Sequence, residues 1–294
     1  MIMDIGITIS KSAYTPEAYA YEKYLKGFGH HVQLDYELDP NNDVNIYFMG
    51  TRPFWKKAES RAIEIHEYHS LSIPPHAKLK DFSKKIINSK PHGRIFLNNF
   101  VHKVLNYNDK VPYIFRDMGV DEGFFQKPSD NPVYDIIYCG SISGRKGLVE
   151  ILLKLSQNYK IIVVGRASKQ EQELLQVKNI TLTGVVSREA LPEIYRNCRY
   201  GLNYTPDIYP FNAQTSTKTL EYLASGLGVI SNKYFWSEYI SNEIGKDFIW
   251  LNKLMLDEKE VKVLNKFSNE FDMNNYSWHR ILEKCKFNDF LLGL

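Results

Sequence analysis

Apolar positions along the chain fall in short continuous runs, separated by stretches with helical spacing. Ile5–Ile9 is the first such run and reads as a strand. Thr15-Pro16-Glu17 then supplies a cap, a proline at the first helical position and an acid in the first turn, predicting a helix to about Lys26 that ends near Gly27 or Gly29. HHVQLDYEL, DVNIYFMG, AIEIHEYH (62–69), RIFLNN (94–99) and VPYIFRDMG (111–119) are the next strand candidates. A second series opens with the strand VYDIIYCG (133–140), the helix GLVEILLKLSQ (147–157), the strand KIIVVG (160–165), the polar helix SKQEQELLQ and the strand ITLTG (180–184). REALPEIYRNC reads as a helix with Pro192 in its first turn, YGLNYTP as a strand, TKTLEYLAS as a helix and LGVISN as a strand.

Continuous apolar strands alternating with helices predict parallel sheets covered on both faces. The alternation occurs twice, and the polar, proline-containing DEGFFQKPSDNP (121–132) between the series reads as a linker. The expected fold is α/β: two facing Rossmann-like doubly wound domains, 1–126 and 127–270, with a C-terminal helix in 271–294 crossing back to the first. Ligands of such sheets bind beyond the carboxyl ends of the strands, which places the expected site in the cleft between the domains.

Composition narrows this only a little. The chain has 294 residues, 44% hydrophobic and 24% charged, with a net charge of +3, which excludes a disordered or collagen-like chain and gives no argument for nucleic acid as a partner. Cys139, Cys198 and Cys285 are odd in number and lack close spacing, as expected of reduced thiols in a cytoplasmic protein rather than a disulfide framework or zinc site; Cys139 and Cys198 sit in apolar runs and are expected in the core. MIMDIGITIS lacks a basic leader and reads as a buried strand, not a signal peptide. No apolar run approaches the ~20 residues of a membrane span, so any membrane contact is expected to be peripheral. Local charge adds one feature: Lys78, Lys80, Lys84, Lys85, Lys90, Arg94, Lys103 and Lys110 face only Asp81 and Asp109. This 78–110 run reads either as a solvated helix face or as a patch for an anionic membrane surface or a phosphate-bearing acceptor.

Candidate chemistry gathers at two strand ends. GSISGRKG (140–147) follows a strand and starts a helix; Gly140 and Gly144 allow tight turning and close ligand approach, while Arg145 and Lys146 supply cations beside helix-start N–H groups. A glycine-rich surface turn with solvated Arg and Lys would look similar. In TSTKTLEYLASGLGVISN (215–232), Ser216 or Thr217 can cap a helix whose first turn leaves N–H donors free for a diphosphate, with Lys218 adding charge. Glu221, about a turn later, is either a helix-surface acid or a partner for a ribose diol.

With these stretches the chain resembles the GT-B glycosyltransferases of the family 4 type. YLKGFGHHV (24–32), FRDMGVDEGFF (115–125), YCGSISGRKG, ITLTGVVSREALPEIYRNC, KTLEYLASGLGVIS and YSWHRILEK (276–284) match that family's segments in order over nearly the whole chain. The resemblance implies an acceptor-binding first domain and a second domain binding a nucleotide-diphosphate sugar. It implies a transferase of bacterial surface-polysaccharide or lipopolysaccharide synthesis, cytoplasmic and at the inner face of the membrane, using a saccharide or lipid-linked acceptor. The resemblance implies transfer with retention, and transfer independent of metal or other cofactors is expected because no Asp-x-Asp pair stands at a strand end.

Residue by residue, the resemblance implies that Lys146 contacts the diphosphate, with Arg145 as an extra cation. Ser141 stands where many relatives carry Arg. Gly165 allows close donor approach, Val185 lies where relatives hold the base, and Ser216, Thr217 and Thr219 form the phosphate-binding helix start. Glu221 matches the ribose-binding glutamate, and Lys218 fits a "KxxEY" version of the motif. Ala213 stands eight positions earlier, where many relatives have a second glutamate; Asn212 and Gln214 are candidates to contact the sugar instead. On the acceptor side, His66, Glu67 and His69 are expected at the end of their strand, with Glu67 or His69 as a general base. A nucleotide-sugar 2-epimerase shares the fold, but no histidine lies between His102 and His279 to serve it. A non-catalytic nucleotide- or glycan-binding subunit is the other alternative, favoured by Ala213 and Ser141.

Overall fold

The computed structural model describes residues 1–9, 15–48, 52–56, 60–73, 75–206, 208–252 and 272–294. The chain forms two compact units, Met1–Gly119 with Tyr276–Leu294, and Val120–Asn275.

In the first unit, strands β1 (Asp4–Thr8), β2 (His31–Asp35), β3 (Val44–Phe48), β4 (Ile63–Tyr68), β5 (Gly93–Phe96) and β6 (Tyr113–Phe115) form a parallel sheet in the order β2-β1-β3-β4-β5-β6. Its helices are α1 (Pro16–Lys26), α2 (Ala77–Ile87) and α3 (Asn99–Leu105). Helix α1 starts at Pro16, but Thr15 gives it no side-chain cap. Helices α2 and α3 occupy the basic 78–110 run. That run is not one uniform patch: Arg94 is 4% exposed and its guanidinium makes two bonds to Asp109 of 2.5 and 2.7 Å.

In the second unit, β7 (Tyr134–Cys139), β8 (Ile161–Val164), β9 (Ile180–Gly184), β10 (Cys198–Asn203), β11 (Gly228–Ser231) and β12 (Ile249–Trp250) form a second parallel sheet, in the order β12-β11-β10-β7-β8-β9. The helices here are α4 (Leu148–Leu155), α5 (Lys169–Leu174), α6 (Leu191–Arg196), α7 (Thr217–Ala224) and α8 (Phe235–Glu243). The single helix expected over REALPEIYRNC is a 3₁₀ turn, Arg188–Ala190, followed by α6 with Pro192 in its first turn. Cys139 and Cys198 are buried, as expected. This order places β7 beside β10, so the chain reverses direction across the sheet between them. That position is the switch point where ligands bind to doubly wound sheets.

Helices α9 (Trp278–Lys284) and α10 (Phe287–Leu292) belong to the first unit. Ser277 caps α9 by accepting from Arg280 N. Trp278 lies so close to Gly119 that a Cβ there would come within 2.4 Å of its ring. Its ring also covers the Arg116 guanidinium at 5.3 Å. No helix among the described residues is long and apolar enough to cross a membrane.

Candidate functional site

Two local devices bring the second unit's candidate residues to the switch point. The first is a glycine pair. Gly140 follows β7, Gly165 follows β8, and Gly165 has φ +144°; a Cβ there would lie 2.0 Å from the Gly140 carbonyl oxygen. Gly165 is thus required for the two strand ends to approach each other, a structural need beyond the ligand approach expected from the sequence. The second is Gly201 of β10, where a Cβ would fall 2.1 Å from the Tyr222 ring. Tyr222 of α7 therefore lies flat on the strand, and its hydroxyl accepts from Cys139 N at 2.9 Å. This contact fixes α7 over the ends of β7 and β10.

The loop 140–147 is laced to the end of β10. Arg145 Nη1 donates to the Tyr204 carbonyl at 2.9 Å, and the Tyr204 hydroxyl donates to the Lys146 carbonyl at 2.7 Å. Lys146 and Ser141 are exposed, and Arg145 is half-buried. Ser141 Oγ makes only a long contact to the Ser143 carbonyl, 3.4 Å. Val185, past β9, is 66% exposed.

At the start of α7, Ser216 is the cap. Its hydroxyl accepts from Thr219 N at 3.4 Å and from Thr219 Oγ1 at 3.0 Å, and donates to Asn203 Oδ1 at 3.1 Å. Asn203 is held by bonds of 3.0 Å from its amide to Ser231 Oγ and Tyr234 Oη. Thr219 is buried, so its hydroxyl serves the cap, while Thr217 is half-buried at the first helical position. By helix geometry the N–H groups of Thr217 and Lys218 have no intrahelical acceptor. Ala213 ends a 3₁₀ turn, Asn212 lies within it, and Gln214 follows with its side-chain nitrogen buried and unpartnered.

Glu221 is not an open carboxylate. It is fully buried; Oε1 accepts from Arg188 Nη1 at 2.9 Å, and Oε2 accepts from Lys218 Nζ at 2.8 Å and Tyr195 Oη at 3.1 Å. Arg188 continues to Asp121, bonding it through Nε at 2.6 Å. Burial pushes the Arg188 guanidinium down, but Glu221 and Asp121 outweigh it and raise its pKa further above the ordinary value. Nothing in SREAL marks Arg188 as more than a solvated residue at a helix start, so sequence reasoning missed it. Asn203 and Tyr204 had a faint signal, as polar residues closing an apolar strand.

The first unit's three candidates separate. The expectation that all three sit at a strand end is corrected: β4 stops at Tyr68, and His66 and Glu67 lie within it, both 0% exposed. The reason is that β4 is an inner strand, flanked by β3 and β5, and is buried from Glu64 to Tyr68. His66 Nε2 is 2.6 Å from Glu64 Oε1. Glu67 accepts from Arg116 Nη2 at 2.7 Å and Tyr21 Oη at 3.0 Å, with Glu17 3.4 Å from the same guanidinium. Burial raises the Glu67 pKa, opposed by Arg116. His69, past the strand end, is partly exposed; its Nδ1 is buried without a partner, and burial lowers its pKa. Nearby, residues 70–73 and α2 enclose a groove of about 720 Å³ lined by Ser70, Ser72, His76, Lys80 and Lys84 among others.

No family model matches the sequence, and no curated protein matches it. Solved structures do match. A glycosyltransferase from Rickettsia africae aligns with a TM-score of 0.67 at 16% identity, over 99% of both chains. HepE of Anabaena, in complex with UDP-glucose, aligns at 0.66 and 11% identity, over 99% of this chain and 100% of that one. WaaG, a glycosyltransferase involved in lipopolysaccharide biosynthesis, aligns at 0.64 and 13% identity with the same coverage. With two six-stranded parallel sheets covered by helices, and this likeness to glycosyltransferases of the family 4 type over the whole length, the chain has the GT-B fold.

Proposed function

We propose that the protein is a glycosyltransferase moving a sugar from a nucleoside-diphosphate sugar to a saccharide or lipid-linked acceptor in the cytoplasm, in the synthesis of a surface polysaccharide or lipopolysaccharide. One observation carries this: the loop 140–147 and the start of α7 converge at the β7–β10 switch point, bringing cations and free N–H groups to the place where a diphosphate would sit. The UDP-glucose held by HepE is the corresponding ligand in a protein of the same fold.

In this reading the Thr217 and Lys218 amides, Lys146 and Arg145 take up the charge that develops on the departing diphosphate. Lys218, with a side chain 33% exposed, leaves Glu221 Oε2 for the diphosphate and so frees a carboxylate oxygen for a ribose hydroxyl. Arg188 and Tyr195 hold Glu221 in place. Gln214, whose buried amide nitrogen lacks a partner, contacts the sugar together with Asn212. The base of the nucleotide lies along Gly165 and Val185. The acceptor occupies the first unit beyond β4, where His69 offers a neutral imidazole. Transfer with retention needs no protein base, because the leaving diphosphate can take the acceptor proton.

A second reading, a nucleotide-binding subunit without activity, is favoured by Ala213 and by the full occupation of the Glu221 oxygens. Thermal-shift measurements with UDP, GDP, ADP and CMP, then their sugars, and an assay of donor hydrolysis test both. A ligand at 100 times its Kd stabilises by about 2.7 kcal/mol. Stabilisation with hydrolysis supports the transferase, stabilisation without hydrolysis or transfer supports the subunit, and neither refutes both.

A further inference from the structure

Helix α2 divides its surface into three sides. It buries Ala77 and Asp81 and turns an apolar stripe, Leu79, Phe82 and Ile86, outward. His76, Lys80, Ser83, Lys84 and Ile87 recur at helical spacing, fall within an arc of about 100° and face residues 70–73. Between this third side and residues 70–73 lies the groove of about 720 Å³, within the roughly 300–1,000 Å³ of small-molecule sites. Residues 70–73 follow the end of β4, so the groove opens at the carboxyl end of the first sheet, where doubly wound sheets hold ligands.

Two cations are held across this groove. Lys80 Nζ donates to the Ile73 carbonyl at 3.2 Å, and Lys84 Nζ donates to Ser72 Oγ at 2.9 Å. Both side chains therefore reach from the helix to the opposite wall, and each ammonium has more donors than that bond uses. Their rotamers are set before any ligand arrives, which lowers the entropy lost on binding. No acid lines the groove. Asp81 lies on the buried side of α2, 6% exposed, where it accepts from Ser72 N at 3.1 Å and stands 3.8 Å from Lys84 Nζ. The Lys84 charge also reaches His69, adding to the burial that lowers the imidazole pKa.

The rest of the lining suits a sugar. Ile73 and Ile87 offer apolar surface to the C–H faces of a pyranose ring, and Ser72 and Ser83 offer hydroxyl oxygens. Ser83 Oγ donates its own proton to the Leu79 carbonyl at 2.9 Å, which leaves it an acceptor towards a ligand. A neutral ligand would strip water from the two ammonium groups without replacing it. A phosphate or carboxylate restores those bonds in charge-assisted form.

We infer that the groove between residues 70–73 and α2 receives a phosphate or carboxylate carried by the acceptor saccharide, so that acidic acceptors are selected. That the ligand is the acceptor rests on the transferase reading. That the groove takes an acidic sugar does not.

Calorimetric titration of the full chain tests it, with hexoses, hexose 6-phosphates and hexuronates of the gluco, galacto and manno series, and with glycerol 3-phosphate and inorganic phosphate. At least one acidic sugar should bind about tenfold or more tighter than its neutral hexose, and tighter than glycerol 3-phosphate or inorganic phosphate. The 6-phosphates and uronates show which acid fits. K80Q/K84Q should lower that affinity by about tenfold or more and leave the neutral hexoses unchanged. Should K84Q loosen α2 in thermal melts, K80Q alone, at an exposed side chain, should still weaken binding by about threefold. No preference for any acidic sugar, or equal binding by parent and variants, would overturn the inference. So would glycerol 3-phosphate or inorganic phosphate matching the best sugar, since the groove would then take a headgroup or a free anion. Donor hydrolysis and nucleotide thermal shifts on the parent read the transferase separately. Acidic-sugar binding without either keeps the groove and refutes the transferase; donor turnover without acid preference does the reverse.

Discussion

Replacing Arg188 by alanine tests whether Glu221 depends on the ion network described above. Arg188 is 15% exposed at the side chain and Glu221 is 0% exposed, with 2.9 Å between them. Removing one partner of a buried pair costs about 3–5 kcal/mol, because the other charge is left without compensation. Lys218 still bonds Glu221 at 2.8 Å, which places the expected loss near the lower end, about 3 kcal/mol. For a unit of roughly 150 residues this corresponds to a fall in Tm of about 6–12 °C. Circular-dichroism melts of the full chain would show it. Glu221→Ala should destabilise similarly, by stranding Arg188 and Lys218. The double variant should lose less than the sum of the two, with a coupling of about 1–3 kcal/mol. An unchanged Tm for R188A, or strictly additive losses, would refute the view that the pair is a buried, interdependent unit. The same network means that a loss of nucleotide affinity in E221A must be measured on protein shown to be folded; E221Q, which keeps the volume, is the better probe.

Gly165→Ala should lower Tm by far more than Gly144→Ala. Both have positive φ, costing about 1–3 kcal/mol, but only the Gly165 Cβ meets backbone, 2.0 Å from the Gly140 oxygen; equal melts would contradict this. Acidification should destabilise the first unit through Glu64 and His66. Burial raises the Glu64 pKa, but bonds from His66, Arg52 and Ser89 outweigh it and hold the carboxyl well below the usual range. Its contribution is therefore present above the unfolded carboxylate value of about 4.3 and is lost as pH falls below it. Burial also lowers the His66 pKa, so its neutral form is favoured by folding and stability declines as pH drops below about 6.5. Melts from pH 8 to 2 should show this decline, and E64Q should flatten the part below about pH 4.3; a flat parent profile would count against it. Lys146→Ala should raise the Kd of the nucleoside diphosphate more than that of the nucleoside, by calorimetry; equal changes would remove Lys146 from the diphosphate.

Element order was legible because apolar runs, helical spacing and prolines act locally. Pro16 and Pro192 open their helices where the pattern predicts. The strand before 140–147 and the strand before α7 were both identified, and with them the residues at their carboxyl ends. Other features depend on what a residue meets from distant parts of the chain. His66 and Glu67 looked like strand-end polar residues, yet the neighbouring strands and Arg116 enclose them. Arg94 looked like one more cation of a basic run, yet Asp109 pairs it inside the unit.

What the sequence determined by itself was the two α/β series, the loops that close their strands, and the cations and hydroxyls those loops carry. Only the tertiary structure decided that β7 lies next to β10, that Glu221 is buried among Arg188, Lys218 and Tyr195, and that the apolar stripe of α2 faces outward. The physical reason is that periodicity records how a segment divides its own faces. Strand order, ion pairing and the choice of which face is covered are set by contacts between segments far apart in the chain.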